Sequence, residues 1–159
     1  MNLLIVDDEY LVVEEVVTVT DWELLGITEI YSATNAVSAV RILNEKKIDI
    51  MICDIEMPQT DGLELSKKAK ENFPDLEIVM LTSHAEFNYV RNALRYGCYD
   101  YLLKPVMEDD IIKVMKNLVT KIERERHQAQ LQEEGIVWNQ LKPVWKEKYW
   151  EEMLRGLRD

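Results

Sequence analysis

The chain has 159 residues, enough for one domain of about 120 residues with a shorter segment left over. Apolar residues make up 47% of it and charged residues 31%, with five glycines and four prolines, which is typical of a globular protein rather than a disordered or repetitive one. The net charge is -11. Residues 1–120 hold 22 acidic and 11 basic side chains, whereas residues 121–159 hold eight of each, so the first part is a poor candidate for binding nucleic acid.

The sequence shows no membrane segment. Its longest apolar runs have four or five residues, against the roughly 18 that a membrane span needs. The N-terminus lacks a basic stretch and Asp7 ends its first apolar run, so no signal peptide is predicted. The two cysteines, Cys53 and Cys98, do not form a disulfide framework, which favours a reducing, cytoplasmic setting.

Short runs rich in isoleucine and valine alternate with stretches of helical spacing. The runs are almost continuously apolar, as in strands buried on both faces of a parallel sheet. Strands are predicted at 3–6, 29–33, 49–53, 77–81 and 99–102, and helices at 9–20, 36–46, 62–72, 86–96 and from 108 onward. Asn35 and Asp61 are helix start signals and Gly97 is a stop signal. Five strand–helix repeats predict a doubly wound α/β domain with a five-stranded parallel sheet, whose size suits the flavodoxin-like strand order 2-1-3-4-5.

The last 40 residues have a different pattern. The helix that begins near residue 108 becomes polar after Glu123, and Gly135 is predicted to interrupt it. Residues 136–158 hold three of the four tryptophans, Trp138, Trp145 and Trp150, at roughly helical spacing. Two short helices can hardly bury that much apolar surface by themselves, so we expect them to pack on a second copy or on another domain.

Acidic residues follow the first and third predicted strands. Asp7, Asp8 and Glu9 come directly after the first strand, and Asp54 ends the third. If these strands are neighbours, the carboxylates meet where ligands bind in open α/β sheets, and their repulsion requires a bound positive charge. Oxygen ligands in an open site suit Mg²⁺. Taken singly, each acid is also a common helix N-cap.

Two further polar residues are predicted at the same edge of the sheet. Thr82 ends the fourth strand, where it is equally suited to cap a helix, and Lys104 follows the fifth between apolar neighbours. The lysine stem can lie along apolar surface while its ammonium group reaches the carboxylates. Acids, a hydroxyl group and a lysine at these four strand ends form a much more specific pattern than any one of them.

Four segments resemble the receiver domain of two-component response regulators: LLIVDDE, MICDIEMPQTDGLEL, IVMLTSH and YDYLLKPV. The resemblance implies a CheY-like fold in which Asp54 accepts a phosphoryl group from a sensor histidine kinase. It further implies that Asp8, Asp54 and the backbone carbonyl of Glu56 ligate Mg²⁺, with Asp7 acting through a water. Thr82 and Lys104 would contact the phosphoryl group, and the Lys104–Pro105 peptide would be cis. Such a protein assists its own phosphorylation and dephosphorylation but is not otherwise an enzyme.

The resemblance also implies which conformational change would follow phosphorylation. Phosphorylation would draw the Thr82 hydroxyl inward and Tyr101 on the fifth strand would move, which reshapes the face made by helix four, strand five and helix five. Tyr89, Arg91 and Arg95 are candidates for its exposed surface, whereas Phe87, Val90 and Leu94 at helical spacing fit the core. Glu56 and His84 each lie two positions after a site residue and are expected to be nearest the water that attacks the phosphoryl group.

Other segments resemble the response regulators that carry an AraC-type helix-turn-helix domain. These are DWELLGI at 21–27, HAEFNYVRNALRYGCYDYLLKPV at 84–106 and LKPVWKEKYWEEMLRGL at 141–157. The resemblance assigns residues 1–120 to a receiver domain and 121–159 to a helical linker leading to an output domain that is absent here. A homodimer would form through the C-terminal helix or through the helix four–strand five–helix five face, and DNA would be bound only by the absent domain.

Two alternatives stay open. An aspartate-nucleophile phosphatase acting on small esters would use the same carboxylate, Mg²⁺ and lysine chemistry. A receiver-like scaffold that is never phosphorylated would lack one of the essential residues, but Asp54, Lys104 and the acids at 7 and 8 are all present. No glycine-rich nucleotide-binding motif follows any predicted strand, which disfavours a flavin or nucleotide enzyme.

Overall fold

A computed structural model gives the backbone of residues 1–58, 61–83 and 87–158, and the side chains of residues 1–58, 61–83 and 91–135. Its centre is a parallel five-stranded sheet of β1 (Asn2–Val6), β2 (Glu29–Ala33), β3 (Ile50–Asp54), β4 (Glu77–Thr82) and β5 (Asp100–Leu103). The strand order is β2-β1-β3-β4-β5, so the predicted doubly wound α/β fold and its order are confirmed.

The three inner strands explain the continuous apolar runs of the sequence. Every residue of β3 and β4 is buried, as are the last four of β1. Helices cover both faces of such a sheet, so these strands need apolar side chains in both directions. The outer strands β2 and β5 are only partly buried and correspondingly more polar.

Five helices connect and flank the strands: α1 (Tyr10–Thr18), α2 (Ala36–Glu45), α3 (Gly62–Asn72), α4 (Phe87–Arg95) and α5 (Glu108–Arg158). The predicted start signals act as expected, since the Asn35 side chain accepts a hydrogen bond from the Ser38 N–H and the Asp61 side chain accepts one from the Leu63 N–H. Gly97 has a φ of 85°, the left-handed conformation that commonly ends a helix.

A buried tryptophan fixes the connection between α1 and β2. Trp22 is 4% exposed, and its indole N–H donates to the carbonyls of Val16 and Val17 in the last turn of α1, both at 3.1 Å. These carbonyls otherwise lack partners because the helix ends there. The turn closes at Gly26, whose φ is 88°. The segment DWELLGI therefore forms the turn that leads into the N-terminal end of β2. The predicted site lies at the opposite, C-terminal ends of the strands.

The chain divides into two compact units, Met1–Val119 and Thr120–Asp159. In the first unit, α5 contributes Ile111, Met115 and Leu118 to the core, all fully buried. In the second unit, the described side chains from 123 to 134 are exposed. Among the described residues, no helix is both long and apolar enough to cross a membrane.

The predicted interruption at Gly135 is wrong. One helix, α5, runs from Glu108 to Arg158 and includes this residue. A glycine within a helix costs about 1 kcal/mol relative to alanine, which weakens a helix without forcing it to end. The side chains of Trp138, Trp145 and Trp150, for which packing partners were predicted, lie outside the residues whose side chains are described.

Candidate functional site

The order of the strands brings the predicted acidic residues together. β1 and β3 are parallel neighbours with Val6 opposite Cys53, so Asp7 and Asp54 leave the sheet side by side. Carboxylate oxygens of Asp7, Asp8 and Asp54 lie within 4.8 Å of one another. Asp7 and Asp54 are 0% and 2% exposed, whereas Asp8 is open to solvent. The cluster thus has two buried carboxylates and a third at its mouth.

Lys104 faces the two buried carboxylates from across the sheet. Its backbone N–H donates to the Thr82 carbonyl at 2.9 Å, which holds the residue against the end of β4. Its Nζ lies 2.7 Å from Asp7 Oδ2 and 3.3 Å from Asp54 Oδ1. Since β4 lies between β3 and β5, the long side chain spans one strand to reach Asp54, and it spans β3 as well to reach Asp7 after β1.

Backbone N–H groups hold the orientation of both buried carboxylates. The Glu9 N–H donates to Asp7 Oδ1 at 2.9 Å, and the Glu56 N–H donates to Asp54 Oδ1 at 3.2 Å. In each case the N–H group belongs to the residue two positions after the aspartate. The loop that follows each strand therefore turns back toward the carboxylate at the end of that strand. Lys104 contacts the other oxygen of Asp7, Oδ2, but at Asp54 it contacts Oδ1, the same oxygen that accepts from the Glu56 N–H.

The electrostatics of the site are unfavourable without an added cation. Burial first and the charge of Asp7 second raise the pKa of Asp54 to about 6, because Lys104 and the Glu56 N–H offset these two effects only in part. Burial by itself lowers the pKa of Lys104, but its hydrogen bond to Asp7 and the charges of Asp54 and Asp7 outweigh burial and leave this pKa raised. One ammonium group therefore stays charged between carboxylates that it only partly neutralises.

The residues present fit a divalent cation that prefers oxygen. Asp7 Oδ2 is fully buried and accepts no hydrogen bond of regular geometry from the described chain, with the Lys104 ammonium as its ion-pair partner. Three carboxylates with one exposed member leave room for water, which Mg²⁺ retains in most protein sites. The Glu56 side chain is exposed, whereas the Glu56 backbone N–H donates a hydrogen bond to Asp54. This bond holds the backbone of Glu56 beside the cluster.

Thr82 and the Lys104–Pro105 peptide lie at the same edge of the sheet, at the ends of β4 and β5. Thr82 ends β4 and is fully buried, and Tyr101 on β5 is partly buried against the core. The Lys104–Pro105 peptide bond is cis. On α4, Leu94 is 52% exposed, so its predicted place in the core is wrong, whereas Arg91 and Arg95 are exposed as predicted.

Some of the predictions fall outside what is described. His84 belongs to a segment without described structure, and the side chains of Phe87, Tyr89 and Val90 are likewise not described. The thiol of Cys53 in β3 is fully buried, and this burial raises its pKa above the physiological range.

One residue of the site was not recognised from the sequence. Gly62, the first residue of α3, is so close to the end of β3 that a Cβ atom would lie 1.9 Å from the Asp54 carbonyl oxygen. Its N–H also donates to the Ile55 carbonyl at 3.0 Å. The sequence indicated only that a helix starts here, since a pattern of residues does not report the space around an atom.

Comparisons with known proteins identify the family of the chain. Residues 3–116 match the family of response regulator receiver domains. The uncharacterized transcriptional regulatory protein YesN of Bacillus subtilis strain 168 is 34% identical over 124 residues, which are 78% of this chain and 34% of YesN. The chain spans between 34% and 57% of the length of the first curated relatives that it matches.

Solved structures share the fold. The receiver domain of AraT, a response regulator from Geobacillus stearothermophilus, superposes with a TM-score of 0.73 at 30% identity, covering 79% of this chain and 97% of that one. A two-component transcriptional regulator AraC from Clostridium phytofermentans has the same TM-score at 23% identity, covering 79% and 98%, which shows the fold alone.

Removal of the Lys104 charge is expected to destabilise the metal-free protein. In Lys104→Gln, Asp7 Oδ2 stays buried and loses the cation at 2.7 Å, so the free energy of unfolding in EDTA should fall by at least about 2 kcal/mol. Urea unfolding measures this loss. Lys68→Gln is the matched control, because Lys68 pairs with Glu64 on the surface and should change stability by less than about 1 kcal/mol. Equal losses in the two variants would contradict the ion-pair argument.

Two glycine substitutions test the contact between α3 and β3. Gly62→Ala should lower the free energy of unfolding by about 1–3 kcal/mol or more, because its methyl group overlaps the Asp54 carbonyl. Gly135→Ala, whose Cβ meets nothing within 4 Å, should leave stability unchanged or raise it by up to about 1 kcal/mol. If urea unfolding places Gly62→Ala within about 0.5 kcal/mol of the wild type, the close contact is not real.

Proposed function

The chain belongs to the family of response regulator receiver domains, and we propose that within this family it is a working phosphoacceptor, with Asp54 as the acceptor and a sensor histidine kinase as the donor. Receiver domains of response regulators are signalling modules rather than classical enzymes. The observation that supports the proposal most directly is the pair of contacts from Lys104 Nζ to the buried carboxylates of Asp7 and Asp54.

The proposed reaction transfers one phosphoryl group. An Asp54 carboxylate oxygen forms a bond to phosphorus while the bond from phosphorus to the histidine nitrogen breaks, and the imidazole leaves with the electron pair. Such transition states spread negative charge over the phosphoryl oxygens, so positioning and charge neutralisation supply most of the catalysis. The Lys104 ammonium and the Thr82 hydroxyl are placed at the correct edge of the sheet to supply part of it.

Mg²⁺ is the proposed cofactor. Asp8 and Asp54 would hold it directly together with the Glu56 backbone carbonyl, and Asp7 would act through a water. When bound, the ion supplies positive charge to the phosphoryl oxygens and keeps the neighbouring carboxylates ionised. This last effect matters because the pKa of Asp54 is raised to about 6 in the metal-free chain, and only the ionised carboxylate is nucleophilic.

The proposed response to phosphorylation starts at Thr82 and Tyr101. A phosphoryl group adds about two negative charges, which draws hydroxyl groups toward it. Tyr101 is partly buried against the core on the neighbouring strand, so a shift of Thr82 changes its surroundings. The affected face is formed by α4, β5 and α5, and its exposed apolar residues include Leu94 and Leu103.

The proposed output is transcription regulation. YesN is a transcriptional regulatory protein by name. The segments at 21–27 and 141–157 favour an AraC-type DNA-binding domain as the output that this receiver would control. In this proposal residues 1–120 receive the signal in the cytoplasm and residues 121–159 form a helical linker, with dimerisation through that linker or through the α4–β5–α5 face.

Phosphorylation is tested with acetyl phosphate and Mg²⁺, followed by intact mass spectrometry. We expect a single labile adduct of one phosphoryl group, which disappears in Asp54→Asn and when EDTA removes the metal. Asp75→Asn is the matched control, since this exposed acid lies away from the cluster and should keep the adduct.

Other outcomes would support the alternatives. Release of many product molecules per chain without a lasting adduct would favour a small-molecule phosphatase. The complete absence of an adduct in the wild type would favour a scaffold, and an adduct that survives in Asp54→Asn would show that another residue is the acceptor.

Dimerisation is tested by sedimentation with and without beryllofluoride and Mg²⁺, a mimic of the phosphorylated state. We expect a shift from monomer to dimer that is absent in Asp54→Asn. Leu94→Glu on α4 and Leu131→Glu on α5 each introduce charge at a side chain that is 52% exposed. Loss of the dimer in the first variant assigns it to the α4–β5–α5 face and loss in the second to the linker, whereas a dimer unaffected by both contradicts the two proposed interfaces.

A further inference from the structure

The C-terminal end of α4 has the hydrogen bonds of a Schellman motif. The Gly97 N–H donates to the Leu94 carbonyl at 3.2 Å, and the Cys98 N–H donates to the Ala93 carbonyl at 3.1 Å. Ala93 and Cys98 are 1% and 6% exposed, so the two ends of the motif are attached to the core. Tyr96 lies inside this fixed turn, directly after the last residue of α4.

Two lysines of α3 contact this end of α4. Lys67 and Lys70 are three residues apart on the helix, so their side chains extend from the same face. The Lys67 ammonium group lies 5.7 Å from the centre of the Tyr96 ring, within the range of a cation–π interaction. A Cβ atom on Gly97 would lie 3.7 Å from Cγ of Lys70, which is ordinary van der Waals contact. Helix α3 therefore contacts the end of α4 through a charge on a ring and through an aliphatic stem.

The two lysines differ in what else they bind. Lys70 Nζ donates to the Leu76 carbonyl at 2.6 Å and lies 3.8 Å from Glu77 Oε1, so this lysine also holds the chain that enters β4. Lys67 is exposed, and Tyr96 is 39% exposed. The contact between Lys67 and Tyr96 can therefore break without disturbing the packing around it.

A contact that exists in one arrangement of two helices and not in another shifts the balance between the arrangements by its own free energy. In the proposed function, α4 belongs to the face that changes on phosphorylation. The arrangement described here has an unmodified Asp54, whose Oδ1 accepts from the Glu56 N–H at 3.2 Å. The contact between Lys67 and Tyr96 thus belongs to the arrangement that precedes phosphorylation.

We propose that Lys67 and Tyr96 form a latch between α3 and α4 that opposes the change of the α4–β5–α5 face. Lys67 is a positioning residue in this inference, because it acts through the Tyr96 ring and not through the acidic cluster. The inference rests on the proposed function of Asp54 and adds a control on its response. An exposed cation–π pair corresponds to about a two- to fivefold change in an equilibrium constant.

The test measures the dissociation constant for beryllofluoride in saturating Mg²⁺ by titration calorimetry. We expect Lys67→Gln and Tyr96→Leu each to bind the mimic about two- to fivefold more tightly than the wild type, because the latch no longer opposes the change. In the double variant, the second substitution should add nothing, since the first has already removed the pair.

Conservative variants and a neighbouring lysine are the controls. Lys67→Arg keeps a cation and Tyr96→Phe keeps a ring, so both should bind the mimic as the wild type does. Lys68→Gln removes the same charge from the next residue of α3, which pairs with Glu64 at 3.2 Å, and should leave the dissociation constant unchanged. Because Lys67 and Tyr96 are exposed, their replacement is not expected to affect folding.

The outcomes separate this inference from the function on which it rests. Unchanged or weaker binding in Lys67→Gln and Tyr96→Leu, equal tightening in Lys68→Gln or Lys67→Arg, or additive effects in the double variant would overturn the latch while leaving Asp54 as the acceptor. A wild-type chain that binds no beryllofluoride would also overturn the latch. If that chain takes no phosphoryl group from acetyl phosphate either, the proposed function is overturned with it.

Discussion

The contact between one ammonium group and two buried carboxylates is the interaction on which the site depends. Lys104 lies within ion-pair distance of both Asp7 and Asp54, in surroundings that exclude most water. Charges attract strongly in such an environment, but removing them from water costs about as much as their attraction returns. Three carboxylates against one ammonium group leave a deficit of positive charge. Burial and the charge of Asp7 raise the pKa of Asp54 more than Lys104 lowers it.

This imbalance makes the site responsive to what binds there. A divalent cation would complete the neutralisation that Lys104 begins, and a phosphoryl group would change the charge again. Both changes act on groups held by backbone bonds at the ends of buried strands, so little of the response can be absorbed by local flexibility. In the proposed response to phosphorylation, the fully buried Thr82 and the partly buried Tyr101 are the residues that move.

The rest of the first unit keeps this arrangement in place. The central strands β1, β3 and β4 are almost wholly buried, which fixes the positions of Asp7, Asp54 and Thr82 relative to one another. Gly62 lets α3 begin directly against the acceptor carbonyl. Among the described residues of the acidic cluster, Asp8 is the one that is open to solvent.

Much of this was predictable from local patterns. Continuous apolar runs marked the inner strands, because a strand covered on both faces needs apolar side chains in both directions, and the acids, threonine and lysine were recognised because they follow those runs. Strand ends were correct to within about a residue, as is usual for such boundaries. The helix stop assigned to Gly135 failed because propensity only weights a conformation, and a 51-residue helix can include a single unfavourable residue.

Other features depend on residues far apart in the chain. The distance from Lys104 to Asp7, the overlap of a Cβ at residue 62 with the Asp54 carbonyl, and the contact of Lys67 with an aromatic ring at the end of α4 follow from strand order and helix packing. Periodicity reports which way a side chain points relative to its own helix or strand. It contains no information on the few ångströms that separate two such elements, and these distances decide whether charges pair, whether a methyl group fits and whether an ammonium group reaches a ring.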